Sequence, residues 1–141
     1  MKNKTSILVT TDKLNMQVCY DFVQEPSCGG MALFVGTVRN ASYQKEVNQL
    51  NFSAYTPMAV KELQKIADKA LADFDILKIA IHHALGDLPI GAIPVIIAVS
   101  AAHRDATFKA CQYAIDTLKE SVPIFKKEFF SDGAVWVNAH P

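Results

Sequence analysis

The sequence predicts an α+β fold with a largely antiparallel sheet and three main helices, in a single domain spanning residues 1–141. Three observations predict this fold class. Short apolar, β-branched segments alternate with three stretches whose apolar residues recur at helical spacing. Two pairs of strand-like segments follow each other with only a turn between them, as antiparallel neighbours do. No linker, repeat or low-complexity tract interrupts the 141 residues, a length that suits one domain.

The chain is predicted to begin with a strand and a helix. Residues 6–10 have the β-branched, apolar character of a short strand. Thr11 or Asp12 can then cap a helix that runs towards Gln24 and ends before Pro26.

Two strands and the second helix follow. Residues 31–38 are apolar enough for a buried strand, residues 39–46 predict a polar loop, and residues 47–55 alternate weakly as a further strand. Thr56-Pro57 is a good helix start because proline is favoured at the first helical position. The apolar residues that share one face of this helix are Val60, Leu63, Ala67, Ala70 and Phe74.

A strand pair and the third helix come next. Residues 76–85 and 93–101 are predicted to be strands around a turn at residues 86–91. Asp105 can cap the helix, and Pro123 ends it. The predicted core stripe of this helix is Phe108, Cys111, Ile115 and Leu118.

The chain is predicted to end in a hairpin. Residues 124–130 and 134–137 form its strands around Ser131-Asp132-Gly133. The complete order is β-α-β-β-α-β-β-α-β-β, which is typical of an α+β domain.

The overall composition excludes several classes of protein. Fourteen basic side chains balance fourteen acidic ones, which argues against a general nucleic-acid binder. No apolar run approaches the ~18 residues of a membrane span. Cys19, Cys28 and Cys111 are far apart and lack a CxxC pair, so neither a disulfide framework nor a zinc site is predicted. A cytoplasmic protein is the simplest interpretation.

The two arginines are the first sign of a binding site. They are the only arginines among the fourteen basic residues, and both follow predicted strands: Arg39 begins a loop, and Arg104 precedes a helix. A guanidinium group matches the geometry of phosphate and carboxylate in a way that an ammonium group does not. The alternative is that each arginine pairs with a nearby carboxylate such as Asp105. The residues alone leave both interpretations open.

A histidine and three lysines extend this cationic set. His103 precedes a helix N-terminus, where free N–H groups and the helix dipole favour an anion, although it could instead cap or pack. Lys119 lies in the last turn of the third helix beside Leu118, where a solvent-facing lysine is also common. Lys126 and Lys127 follow in a strand and point to opposite faces, so at most one enters a given pocket.

Other candidate sites are weaker. His82 and His83 suggest a metal, but adjacent strand residues face opposite ways and no carboxylate lies at ligand spacing. Gly29-Gly30 lacks the following lysine and helix of a phosphate loop. The sequence therefore predicts no metal and no cofactor in this chain.

Six short segments together carry a family resemblance. They are Phe34-Val-Gly-Thr-Val-Arg-Asn40, Tyr55-Thr-Pro-Met-Ala59, residues 86–91, Ser100-Ala-Ala-His-Arg-Asp105, Leu118-Lys119 and Pro123-Ile-Phe-Lys-Lys-Glu128. In order and spacing they resemble the large, catalytic subunit of molybdopterin synthase (MoaE-like proteins), over about residues 5–137. Each segment is weak alone, but six in register are highly specific.

The resemblance implies an enzyme of molybdenum cofactor biosynthesis. Members of this family insert two sulfur atoms into cyclic pyranopterin monophosphate and so make the dithiolene of molybdopterin. The sulfur arrives as a thiocarboxylate on the C-terminal Gly-Gly of a small ubiquitin-like partner, whose tail enters the pocket of the large subunit. The resemblance also implies a homodimer with one small subunit at each end, which makes a heterotetramer.

The resemblance assigns the phosphate of the pterin to one group of residues. Arg39, His103 and Arg104 match the family's phosphate contacts, and Thr37 and Val38 supply neighbouring backbone groups. The expected fork geometry of the two arginines agrees with this assignment.

The resemblance assigns the chemistry to a second group. Lys119 and Lys126 match the lysines nearest the reaction and are the expected catalytic residues, which also bind substrate. Lys127 and Glu128 lie alongside them as further substrate-binding residues. Because substrate and partner tail are both anions, a cationic pocket has a clear physical purpose: it neutralises both and positions them.

The chain departs from the family pattern at three positions. Ser53 stands where glutamate is frequent, Ala84 where arginine is common after His83, and Phe125 where tryptophan is usual. The first two changes could alter the pocket rim or the contact with the partner. None of the three removes a central cation.

Two other functions are alternatives. An acylphosphatase-like phosphate hydrolase also binds phosphate with a loop arginine, and Arg39-Asn40 faintly resembles its motif. A non-catalytic sensor of a phosphorylated metabolite explains the arginines but gives no reason for the lysines around Pro123.

Overall fold

The computed structural model describes residues 3–42 and 44–138 and confirms the α+β fold class. Within them lie three helices and largely antiparallel strands, but the strands form two sheets rather than one. In chain order the elements are β1 (Thr5–Thr10), α1 (Met16–Val23), β2 (Gly30–Gly36), β3 (Ala41–Ser42), β4 (Lys45–Ala54), α2 (Thr56–Asp73), β5 (Lys78–Ala84), β6 (Gly86–Pro89), β7 (Val95–Ala101), α3 (Arg104–Ser121), β8 (Ile124–Phe130) and β9 (Val135–Asn138).

The first sheet has the strand order β1-β5-β7-β2, and its β1–β5 pair is parallel. All of β7 and nearly all of β5 are buried, because helices cover both faces of the sheet. On one face α1 packs through Cys19 and Val23. On the other, α2 and α3 pack through residues such as Leu63 and Leu118. The strand pair predicted around residues 86–91 is confirmed as β5 and β7.

The second sheet has the order β3-β4-β8-β9, with β6 also paired to β4. The short strands β3 and β6 lie in segments that the sequence predicts as a loop and a turn. Gly86 and Gly91 have φ angles of +97° and +84°, so they make the bends and leave residues between them extended for pairing. The predicted hairpin of β8 and β9 is confirmed.

The first helix begins later than the sequence predicts. Asn15 is its N-cap, and its Oδ1 accepts hydrogen bonds from the backbone N–H groups of Gln17 at 2.8 Å and Val18 at 3.3 Å. Capping by Thr11 or Asp12 is therefore wrong. Those residues precede the helix in a short connection that already buries Leu14 in the core.

The second helix follows the prediction closely. It starts at Thr56 with proline in its first turn, and the predicted face residues Leu63, Ala67 and Ala70 are fully buried.

In the described part of the chain, none of the helices combines the length and the apolar character that crossing a membrane requires.

The third helix differs from the prediction at its start and in its core face. His103, not Asp105, occupies the N-cap position, and Asp105 lies in the first turn with its carboxylate 3.0 Å from Lys109. Phe108 is 62% exposed, so its place in the core stripe is wrong. The buried face instead combines the large Ile115 and Leu118 with four smaller residues that let the helix lie close to the sheet: Thr107, Ala110, Cys111 and Ala114.

Candidate active site

A cavity of about 460 Å³ is lined by strands of both sheets and by the C-terminal half of α3. Three of the cations singled out in the sequence, Arg39, Lys119 and Lys126, line it together. Glu128 and His83 complete the titratable lining among the described residues. The remaining wall is mostly apolar, with Phe34, Leu50 and Phe52 among its side chains. The cavity therefore combines a cationic set with flat apolar surfaces.

The loop after β2 holds Arg39 at the cavity. Val38, the preceding residue, is 2% exposed, and its N–H donates to the carbonyl of Ala92 at 2.9 Å. Its own carbonyl accepts from the N–H of Gly91, also at 2.9 Å. The backbone of Val38 is thus engaged within the protein and anchors the loop, whereas Thr37 lines the cavity beside Arg39.

Strand β8 contributes one lysine and one carboxylate to the cavity. Lys126 and Glu128 are two residues apart, so both side chains lie on the inner face of the strand. Their Nζ and Oε1 atoms are 3.2 Å apart, and the side chains are 23% and 4% exposed. Lys127 points the other way, is exposed, and lies over the ring of Phe129 at 5.9 Å.

Lys119 reaches the cavity from the last turn of α3. The preceding residue, Leu118, is 1% exposed and fixes this end of the helix in the core. Within the described residues Lys119 has no salt bridge, in contrast to Lys126 with its carboxylate.

The adjacent histidines His82 and His83 lie in different surroundings, on opposite faces of β5. His83 lines the cavity, its ring meets Phe52 edge-on with centroids 5.2 Å apart, and its Nδ1 lies 2.8 Å from the carbonyl of Ala84. Burial lowers the pKa of His83 to about 4, so the ring is neutral near pH 7. His82 faces α1, with Ser6 Oγ at 2.9 Å and Cys19 Sγ at 3.3 Å, and burial lowers its pKa as well.

The two histidines therefore do not form a metal site together. Over residues 3–42 and 44–138, no group of three or more His, Cys, Asp or Glu side chains could hold a metal ion. The sequence offers no sign that His83 faces the cavity, because only its pairing with Val95 in β7 fixes which face of β5 it takes.

His103 and Arg104 lie away from this cavity, at the opposite end of α3. With a rise of 1.5 Å per residue, the fifteen residues from Arg104 to Lys119 separate their Cα atoms by about 22 Å. Both side chains are exposed, and His103 makes no side-chain capping bond. Asp105 pairs with Lys109 instead of Arg104, so the simple local ion pair is not formed. The sequence-predicted set is thus divided between two places.

The positions that depart from the family pattern do not line the cavity. Ser53 and Phe125 are cross-strand partners on the outer face of the second sheet, and both are exposed. Ala84 is buried with 2% exposure. The cationic set is therefore untouched by these three departures.

Comparisons with known proteins identify the family of this chain. A family model described as MoaE protein matches residues 9–121. The human molybdopterin synthase catalytic subunit is 43% identical over 135 residues, which cover 96% of this chain and 72% of the human protein.

Solved structures give the same relationship. The crystal structure of molybdopterin synthase from Staphylococcus aureus superimposes with a TM-score of 0.87 at 31% identity, over 99% of this chain and 100% of that one. A chain of the complex between subunits 1 and 2 of molybdopterin-converting factor from Helicobacter pylori has a TM-score of 0.74 at 20% identity, over 99% and 94% of the two chains, a likeness of fold. The family model matches most of the chain, and the human relative is 43% identical over nearly all of it, so the chain belongs to the MoaE family.

Proposed function

We propose that this chain is the catalytic subunit of a molybdopterin synthase. It transfers sulfur from the C-terminal thiocarboxylate of a small ubiquitin-like subunit to cyclic pyranopterin monophosphate. The observation that carries the proposal is the convergence of Arg39, Lys119 and Lys126 on one cavity in a chain of the MoaE family. A volume of about 460 Å³ suits a substrate of this size.

The charge of the cavity fits the proposed reactants. The pterin phosphate and the thiocarboxylate tail are both anions, so they repel each other unless cations lie between them. Each charge-assisted hydrogen bond from a lysine or arginine contributes about 1.5–3 kcal/mol. Three such cations around one cavity favour the simultaneous presence of both reactants and hold them in reacting geometry.

The proposed chemistry proceeds through the partner's own sulfur. In each transfer, the thiocarboxylate sulfur replaces an oxygen substituent on a pyranopterin carbon, and water then cleaves the acyl–sulfur bond. The sulfur stays on the pterin, and the tail leaves as a carboxylate. No oxidant, reductant, metal or cofactor on this chain is needed for that balance.

The two cavity lysines have different settings and therefore different proposed tasks. Lys126 is held by the Glu128 carboxylate at 3.2 Å, which suits a fixed cation that stabilises developing negative charge. Lys119 has no ionic partner among the described residues and is exposed, which leaves it free to move protons or meet the acyl group of the tail.

A homodimer accounts for the cations at the other end of α3. Within one chain, Arg104 and Lys119 are too far apart to bind one phosphate, whereas a second copy could bring its own His103 and Arg104 to the cavity. An apolar groove between the edge strand β2 and α3 supports this arrangement. It exposes Phe108 and shares Phe34 and Ile115 with the cavity wall.

The proposed assembly adds one small subunit to each copy. The Helicobacter pylori neighbour was solved as a complex of its two subunits, and a tail that ends in Gly-Gly is narrow enough to enter a cavity of this size. The three free cysteines are typical of a reducing compartment, so we place the reaction in the cytoplasm.

Reconstitution of the reaction tests the proposal. The purified chain is mixed with cyclic pyranopterin monophosphate and a thiocarboxylated small subunit, and molybdopterin is measured by mass spectrometry. We expect two sulfur atoms per pterin and one carboxylate tail released per sulfur. Acyl phosphate hydrolysis without sulfur transfer would support the hydrolase alternative, and binding of the pterin without turnover would support the sensor.

A further inference from the structure

Strand β2 is an edge strand without the features that protect an edge. It ends the order β1-β5-β7-β2, so one of its sides has no strand neighbour among the described residues. Its seven residues, Gly30–Gly36, include no charge, no proline and no polar side chain. Charges and prolines are common means of keeping an exposed edge from pairing. At the other edge of the same sheet, by contrast, β1 has three hydroxyl side chains in its six residues.

An apolar groove lies beside this edge. It has a volume of about 590 Å³ and is formed by β2 and by the side of α3 that carries Phe108 and Ile115. Phe108 is 62% exposed and Leu33, the central residue of β2, is 37% exposed, although both line this groove. The open strand edge and the groove therefore form one continuous surface that a second molecule can cover.

The spacing of β2 and α3 suits a second copy of this chain. Helix α3 packs against both β2 and β7, so its axis lies about half a strand spacing inside the edge. Paired β2 strands of two copies are about 4.8 Å apart, which puts the two α3 axes about 10 Å apart. Packed helices have axes about 8–10 Å apart. One arrangement therefore extends the sheet, packs the helices and lets Phe108 of each copy fill the groove of the other.

The register of the strands determines what each copy brings to the other. A two-fold axis at Leu33 lets all seven residues pair and places Gly30 of one copy opposite Gly36 of the other. Gly36 lines the cavity. Gly30 lies beside the start of α3, since a Cβ atom built on it would be 3.6 Å from the Cα of Arg104. Because neither glycine has a side chain, this pair leaves space between Arg104 of one copy and the cavity of the other.

The helix gives the same result independently. Arg104 and Lys119 are fifteen residues apart in α3 and about 60° apart around its axis, with their midpoint between Cys111 and Gln112. A two-fold axis at that level puts Arg104 of one copy beside Lys119 of the other. The thiol of Cys111 hydrogen-bonds with the backbone of Phe34, which adjoins Leu33. The midpoints of the strand and of the helix therefore lie at one level, and a single axis serves both.

We propose that two copies of this chain join by antiparallel pairing of β2 about Leu33, so that His103 and Arg104 of each copy complete the cavity of the other. This inference rests on the proposed function and adds to it the surface and the register of the dimer. The cavity of a single copy holds Arg39 but lacks a second arginine. A monomer therefore binds the phosphate of the pterin weakly, and assembly and substrate binding depend on the same strand.

The competing occupant of this edge is a strand of the small subunit. In that case β2 of the isolated chain is free, and two copies do not meet there. The tests therefore use the isolated full-length chain, and the small subunit is added only for the measurement of sulfur transfer.

Disulfide formation between two copies tests the register. Opposite residues of an antiparallel pair have Cα atoms about 4.5–5.5 Å apart, within the range that a disulfide spans. In a chain whose three native cysteines are replaced by alanine, Leu33→Cys should therefore link two copies on mild oxidation. Val35→Cys alone should not, because Met31 is opposite Val35 in this register. A mixture of Val35→Cys with Met31→Cys should link, as seen on a non-reducing gel.

The matched control for the cross-link is Leu8→Cys in the same background. Leu8 is 41% exposed and lies in β1, the other edge strand of the same sheet. A similar thiol on the edge that does not pair should stay reduced under the same oxidation, which shows that a link at residue 33 requires the proposed contact.

Charges at the axis test the assembly and the site together. Leu33→Glu places two carboxylates side by side, so this protein should be monomeric by sedimentation. Its affinity for neopterin monophosphate should fall about 10- to 100-fold, as in Arg104→Ala. Leu33→Lys should behave in the same way. A mixture of the two variants should regain the dimer and the affinity, because opposite charges then meet at the axis, and this recovery also shows that both variants fold.

Absence of a link in Leu33→Cys overturns the proposal, and so does a link in Leu8→Cys instead. A Leu33→Glu protein that stays dimeric, or a monomer that binds neopterin monophosphate as tightly as the wild type, also overturns it. Sulfur transfer keeps the two hypotheses apart. An active enzyme that shows no link at residue 33 contradicts only the β2 interface, whereas a linked dimer that binds the pterin without transferring sulfur contradicts the proposed function.

Discussion

The two ends of α3 differ in what surrounds their cations. At the C-terminal end, Lys119 shares a cavity with Arg39 and Lys126, and the wall behind them is the packed core. At the N-terminal end, His103 and Arg104 are exposed, and no ion pair holds their side chains within the described residues. One end is a candidate site within a single chain, and the other presents its basic side chains on the exposed surface.

This difference shows that a set of like residues in a sequence need not form one site in one chain. The cations at both ends suit the same anionic substrate, but an 18-residue helix lies between them. A rigid helix cannot fold back, so the exposed end can act on the cavity only across an interface between copies. We therefore expect the C-terminal end of α3 to take part in the chemistry. The N-terminal end can contribute only to substrate binding, and only when a second copy is present.

Replacement of Lys119 should have the largest effect. Lys119→Ala removes the unpaired lysine nearest the proposed chemistry, and we expect sulfur transfer to fall at least about 100-fold. Because the side chain is exposed, the free energy of unfolding should change by less than about 0.5 kcal/mol. Binding of the small subunit should be nearly intact, as measured by calorimetry.

The matched control for this variant is Lys69→Ala. Lys69 also lies near the C-terminal end of a long helix, but it pairs with Asp73 at 2.9 Å on the surface of α2. Normal turnover of this control is expected. Near-normal turnover of a well-folded Lys119→Ala protein would remove Lys119 from the chemistry and leave Lys126 as the remaining candidate.

The arginines test whether the two ends act on one phosphate. Arg39→Ala and Arg104→Ala should each weaken pterin phosphate binding about 10- to 100-fold, because each removes a bidentate, charge-assisted contact. Docking of the small subunit should weaken less. Calorimetry with each ligand separately measures both effects. Lys109→Ala provides an exposed cation near the N-terminal end of α3 that should not matter.

A loss confined to Arg39→Ala would contradict the shared site and make the N-terminal end a structural feature. Equal losses for pterin and partner would instead mean that both arginines support the fold or the docking surface.

Mixing the two impaired variants, at a pterin concentration too low for Arg104→Ala to bind it, tests whether one site takes residues from both copies. If each site takes Lys119 from one copy and Arg104 from the other, a dimer of Lys119→Ala with Arg104→Ala contains one intact site and one doubly altered site. Random exchange of subunits then restores about a quarter of the wild-type activity. If both residues act within one copy, no mixture is active, and the dimer has no catalytic purpose. The measurement is turnover before and after subunit exchange, with each variant alone as the control.

The parts of the fold that follow from local rules are predictable from the sequence. Thr56-Pro57 starts α2 because proline fits the first helical turn, and the hairpin of β8 and β9 follows from its turn residues. Phe108 is a failure of the same reasoning. Its spacing fits the helical stripe, but neighbouring small residues bring α3 closer to the sheet and turn the larger ring outwards.

The site was less predictable than the fold, for a physical reason. Residue types in the sequence identify Arg39, Lys119 and Lys126, because charge and chemistry are local properties. Which of them share a cavity depends on strand pairing across the two sheets, which no local pattern contains. His83 is the clearest case, since a one-residue change of register in β5 would point it at α1 instead.

The smallest effect on turnover is expected from replacing the cysteines. These variants test whether any thiol of this chain, including Cys28 near the N-terminal end of α3, carries the sulfur. Many sulfur-transfer enzymes carry sulfur on an activated cysteine, which requires a thiolate in an exposed, electropositive setting. Burial raises the pKa of Cys19 and of Cys111 to about 11, so neither is such a group. Cys28 is half-buried, and its thiol donates to the carbonyl of Gly30 at 3.1 Å.

Cys28 is the one thiol that could place sulfur chemistry at the N-terminal end of α3, because the fold brings its segment towards Arg104, which is distant in sequence. A Cβ atom built on Gly30 would lie 3.6 Å from the Cα of Arg104, so the segment after Cys28 runs along the start of α3.

If that end carried sulfur, Cys28→Ala alone would stop the reaction while pterin and partner still bound. We expect the opposite. A variant with all three cysteines replaced by serine or alanine should make molybdopterin from thiocarboxylated partner at the wild-type rate per folded molecule. Its free energy of unfolding should fall by about 1–2 kcal/mol for each of the two buried sites, because small cavities or unsatisfied hydroxyl groups replace packed sulfur. Turnover must therefore be normalised to the folded fraction, and full activity on that basis places the sulfur on the partner's tail throughout.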